Sequence, residues 1–83
     1  MSSASDYLAK EAQRLSDDGI FNAALDLIRS EALDELSRTD AENTIAILRL
    51  QQRVAVVNDI RATLSRYVLA GERHAQDGAS PFA

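Results

Sequence analysis

Apolar residues recur along this chain at steps of three and four, the rhythm of helices that bury one side. Leu8, Ala12 and Leu15 form a narrow stripe and predict a first helix over about 5–18, capped by Ser3 or Ser5. Gly19 then breaks or bends the path. Phe21, Leu25, Ile28, Ala32 and Leu36 predict a second helix over about 20–37, with Leu27 and Leu33 widening its apolar face. Ser37-Arg38-Thr39-Asp40 reads as a short polar connection, which favours antiparallel neighbours. Ile47, Leu50, Val54, Val57, Leu64 and Val68 form the main stripe of a third helix. Arg61 interrupts that stripe, and Ala46 and Ile60 flank it.

The third helix dominates the prediction. From Ala41 to Ala70 the chain holds neither Gly nor Pro. Thr39 and Glu42 have capping-box spacing, and Gly71 stands where a C-terminal cap belongs. At about 1.5 Å per residue this run is roughly 45 Å long, whereas the second helix reaches only about 27 Å. The unmatched end, about Asp59 to Ala70, has nearly the length of the first helix. The prediction is therefore an all-α fold: an antiparallel helical hairpin with a long C-terminal helix (41–70) against a kinked N-terminal arm (5–18, 20–37). Gly19 would be a kink facing the middle of the long helix. A compact three-helix bundle is the alternative. One helical domain over 1–71 is expected, followed by a flexible tail over 72–83. Phe82 beside Pro81 in that tail either docks in a groove on another subunit or belongs to a disordered terminus.

Eighty-three residues allow a small core, and the chain has no cysteine with which to staple it. Leu50, Val54, Val57, Ile60 and Leu64 are expected to form the seam, facing Phe21, Leu25 and Ile28. Ile45, Leu48, Val56 and Leu69 lie off that seam and are the candidate contacts between subunits. More apolar surface than one arm can cover predicts a homo-oligomer.

Charge is uneven. Residues 1–42 hold ten acids and four bases, residues 43–83 three acids and five bases, within a net charge of −4. The plain reading is an acidic arm beside a more basic one. Arg49, Arg53, Arg61 and Arg66 are the candidate charge contacts, with Asp26, Glu31 or Asp34 as partners in the same or another chain. An arginine ridge could also track phosphates, but no aromatic residue is interleaved and overall acidity disfavours nucleic acid.

Candidate chemistry is sparse. His74 has no positioned nucleophile or co-ligand near it in sequence. Asp34, Glu35, Asp40 and Glu42 cluster at the hairpin turn without the spacing of a metal-binding loop. No catalytic residue, cofactor site or metal site is expected. No apolar run approaches a membrane span, and Met1 to Asp6 lacks the pattern of a signal peptide, which predicts a soluble, cytoplasmic protein.

Three segments together carry a resemblance: Phe21-Asn22-Ala23-Ala24-Leu25, Glu31-Ala32-Leu33-Asp34-Glu35-Leu36, and Ile47 through Val57 (ILRLQQRVAVV) after a short polar turn. The pattern, over roughly residues 15–70, resembles small phage and prophage proteins encoded among head-assembly and DNA-packaging genes. That resemblance implies a helical hairpin in the host cytoplasm or the virion and transfers no residue role. Three functions follow as expectations. The first is a non-enzymatic structural, assembly or packaging accessory protein. The second is a small phage-encoded inhibitor or regulator that binds another phage or host protein. The third is a nucleic-acid accessory protein.

Overall fold

The computed structural model describes the backbone of residues 3–79, and the side chains of residues 4 and 6–72. Among the described residues the chain forms three α-helices and no strand: α1 (Ser3–Ser16), α2 (Gly19–Arg38) and α3 (Thr44–Ala79). They form two compact units. One contains α2 with the part of α3 up to Ile60, the other α1 with the part of α3 from Arg61. These are the partners that length matching assigns to the hairpin, and the fold is all-α as the periodicity predicts.

In the α2–α3 unit the buried residues are Leu25, Ala32, Leu50 and Val57. Leu25 and Val57 lie equally far from Ala41, and so do Ala32 and Leu50. An antiparallel pair turning at Ala41 therefore sets them level with each other across the seam. Each pair is one heptad from the next, the period of two helices packed side by side. Ala32 is fully buried, at 0 % exposure, and its small side chain makes room there for Leu50. Phe21, Leu36, Ile47 and Val54 are half-buried along the same lines. Ile28 and Ile60, expected in the seam, are instead 43 % and 37 % exposed. Position 61, not 60, continues the three-four rhythm of Leu50, Val54 and Val57, so Ile60 is turned about 100° from that line. Ile28 is similarly turned to the flank of the line through Leu25 and Ala32.

The connection between α2 and α3 is built differently from the expected capping box. The Thr39 hydroxyl donates back to the Glu35 carbonyl at 2.6 Å, closing the end of α2. Asp40 Oδ1 accepts the Glu42 amide at 2.9 Å, and the Asn43 amide donates to the Asp40 carbonyl at 2.9 Å, an Asx-type turn. Asn43 is then the N-cap of α3: its Oδ1 accepts the Ala46 amide at 3.2 Å and its carbonyl accepts the Ile47 amide at 3.1 Å. Thus α3 begins at Thr44 rather than Ala41. Asn43→Ala should lower stability by about 1 kcal/mol in urea unfolding, the usual cost of a lost cap.

In the other unit α1 runs antiparallel to the end of α3. Ala12 is buried, Leu15, Leu64 and Val68 are half-buried, and Ala9 packs against Gly71. Gly71 is therefore not a C-terminal cap. It occupies the seam position seven residues after Leu64, and α3 continues to Ala79. A Cβ at Gly71 would collide with the Ala9 Cβ, so the absent side chain lets the two backbones approach. The helical backbone of 72–79 replaces the tail expected from residue 72. Residues 80–83, Phe82 included, lie outside the described residues.

Gly19 is also not a kink facing α3. It opens α2, and a Cβ there would meet nothing within 4 Å. The break falls just before it. The Asp17 amide bonds the Gln13 carbonyl at 3.0 Å, the Asp18 amide bonds the Leu15 carbonyl at 3.1 Å, and Gln13 Nε2 donates to the Asp17 carboxylate at 3.1 Å.

Candidate functional site

Among the described residues no ionisable or polar side chain is buried, and no buried side-chain nitrogen or oxygen lacks a partner. No group of three or more His, Asp or Glu side chains there could hold a metal ion. In the carboxylate cluster at the turn, Asp40 is occupied by its turn hydrogen bond. The His74 side chain lies outside the described residues. No described helix is long and apolar enough to cross a membrane. Two shallow depressions, of about 320 and 340 Å³, lie along the α1 side of α3. Gln13 and Val68 line both, and only Asp6, Lys10 and Glu72 bring charge to the first. Neither gathers a nucleophile with a base.

What the structure does present is exposed apolar surface. Ile45, Leu48, Val56 and Leu69, the candidate subunit contacts, are 54–64 % exposed. Ile45, Leu48 and Val56 belong to the α2–α3 unit and Leu69 to the other. Ile45 and Val56 share one side of α3 with Ile60. Leu48 lies on its outer back, about 80° from Val56 by helical geometry.

The four arginines divide. Arg61 is half-buried and already engaged within the chain. Arg66 donates from Nη2 to the Thr63 hydroxyl at 3.2 Å. Arg49 and Arg53 are exposed, and neither forms an ion pair or side-chain hydrogen bond among the described residues, so the expected pairing with Asp26, Glu31 or Asp34 is not made inside the chain. A salt bridge within α1, Arg14 Nε to Glu11 Oε1 at 3.0 Å, is an exposed contact of a kind that contributes little.

No family model, curated protein or solved structure matches this chain.

The contribution of α2 to the exposed surface is what the sequence pattern hid. Ala24, Ile28, Glu31 and Glu35 are all exposed on α2, at steps of four, three and four. Arg49, Arg53, Val56 and Ile60 are all exposed on α3 at the same steps. Each stripe lies one residue before the buried line of its own helix, Leu25 and Ala32 on α2, Leu50 and Val57 on α3. One residue is about 100° of turn. In an antiparallel pair an equal turn in the same sense brings both stripes to the same side. The α2–α3 unit thus carries a two-helix face, apolar where Ala24 and Ile28 sit beside Val56 and Ile60. Nearer the connection the face is charged, with Glu31 and Glu35 on α2 and Arg49 and Arg53 on α3. The signal that could have found it is the matched offset from the seam, which is visible only once the seam is known.

Proposed function

We propose that this is a non-enzymatic helical protein that works by self-association, as a structural, assembly or packaging accessory protein of a phage or prophage in the host cytoplasm or virion. The observation that carries the reading is the mismatch between core and surface. Among the described residues the buried core is Ala12, Leu25, Ala32, Leu50 and Val57, while Ile45, Leu48, Val56, Leu27 and Leu69 are each more than half exposed. Small domains with little buried surface commonly gain stability by oligomerising. Exposed apolar faces of this kind mark sites of association. The phage setting draws its support from the residue pattern around Phe21–Leu25, Glu31–Leu36 and Ile47–Val57.

Val56→Asp tests the association. Val56 is 54 % exposed, so an aspartate there is solvated in the isolated chain and desolvated in an interface. Light scattering at micromolar concentration should give a dimer or larger for the natural chain, and the 9.1 kDa monomer for Val56→Asp with most of the helix content kept. An unchanged mass for Val56→Asp would remove this residue from the interface. A natural chain that is a well-folded monomer would sink the reading.

A further inference from the structure

We infer that the two-helix face of the α2–α3 unit is a self-complementary docking surface whose occupant is the same face of a second copy of this chain. The inference rests on the self-association proposed above and specifies its partner and geometry. Residues equidistant from Ala41 stand level in the antiparallel pair, as the buried pairs Leu25/Val57 and Ala32/Leu50 indicate. Glu31 is therefore level with the stretch between Arg49 and Arg53, and Glu35 with the turn of α3 just before Arg49. Ala24 and Ile28 are level with Val56 and Ile60. A two-fold axis parallel to the helices lays α2 of one copy over α3 of the other without changing any level. Glu31 and Glu35 of each copy then stand over Arg49 and Arg53 of its mate, and Ala24 and Ile28 over Val56 and Ile60. The result is four helices with antiparallel neighbours throughout, a standard bundle arrangement.

The charges select this occupant and this orientation. Turning one copy end for end would set the acids and arginines over the mate's isoleucines and leave them desolvated without partners, which is costly. A polyanion such as DNA would meet Glu31 and Glu35 as well as the two arginines. Among the described residues neither arginine forms an ion pair, so both are available to the carboxylates that the mate sets over them. The size is also appropriate. Two helices of about 17–20 residues, about 9 Å apart, present a footprint on the order of 600 Å², near the roughly 800 Å² per partner of a stable interface.

Charge reversal tests it. One chain carries Glu31→Arg with Glu35→Arg, the other Arg49→Glu with Arg53→Glu. Each alone places like charges across the two-fold axis and should self-associate about 10- to 100-fold more weakly than the natural chain in sedimentation equilibrium. An equimolar mixture restores both sets of opposite charges, so it should return to the dimer. A second measurement reads proximity directly. Because the chain has no cysteine, a Glu31→Cys chain mixed with an Arg53→Cys chain should give a disulfide-linked heterodimer faster than either gives a homodimer. If the natural chain associates but the reversed chains associate equally well, or their mixture fails to recover while circular dichroism shows intact helix, this face is not the interface and self-association stands on another. If the natural chain stays monomeric, both the face and the broader reading fall. Association with nucleic acid in place of self-association would overturn the inference as well.

Discussion

Leu50→Ala should lower the stability of the chain by about 2–5 kcal/mol, the range for truncating a buried leucine. Leu50 is 4 % exposed and stands level with the fully buried Ala32. The residue level with it is an alanine, too small to fill the space left by the leucine, which favours a large cavity term. Small domains hold about 5 kcal/mol or somewhat more in total, so this one change removes much of the margin. In a chain of this size each kcal/mol moves the melting temperature by roughly 4–8 °C, so a fall of more than about 10 °C is expected in a thermal melt followed by circular dichroism. Leu48→Ala is the matched control. Leu48 is 56 % exposed, so the folding stability of the unassociated chain should change by less than about 0.5 kcal/mol. Equal effects from the two changes would mean that Leu50 is not the seam residue.

Gly71→Ala should loosen α1 from α3, against the ordinary expectation for a helix interior. Glycine inside a helix costs about 1 kcal/mol relative to alanine, so on propensity alone the change would stabilise. Here the new Cβ would collide with the Ala9 Cβ, which is rigidly attached to the α1 backbone and cannot swing away. The helices must part, at a typical cost of 1–3 kcal/mol for overpacking. A helix of 14 residues such as α1 is marginal on its own in water. Faster hydrogen exchange across α1, with unchanged protection at Leu25, Ala32 and Leu50, is the expected signature. Pairing the change with Ala9→Gly should restore protection, because the added carbon would then meet only the Cα of residue 9, at 3.7 Å in the present geometry. Failure of the paired change to rescue α1 would mean that the Ala9–Gly71 contact does not hold it.

The order of helices and the hairpin pairing were legible because Leu25, Ala32, Leu50 and Val57 repeat at seven-residue spacing and the helix lengths match. The boundaries were less legible, because one local signal fits several structures. Thr39 and Glu42 have capping-box spacing, but Asp40 forms a tighter turn and Asn43 sits nearer the apolar run, so Asn43 takes the cap. Gly71 after thirty residues free of Gly and Pro reads as a stop, yet it is also the next seam position after Leu64. Its role depends on Ala9, some sixty residues away, and no local window contains that information. At the candidate site, Ile45, Leu48, Val56 and Leu69 were recognisable as off-seam apolar residues. Ile28 and Ile60 were not, because a residue one step from a stripe is counted with the stripe until the packing fixes its centre. The link between Glu31, Glu35 and the two arginines likewise required knowing which sides of α2 and α3 share a face.

On the association proposed above, the α2–α3 unit completes itself against another copy of the chain. Sedimentation equilibrium of the natural chain from about 1 to 100 μM tests it most directly, since mass action must favour the associated form as concentration rises. The apparent mass should climb to twice the 9.1 kDa of one chain or more. A mass that stays at one chain across the whole range, with the helices intact, would contradict it.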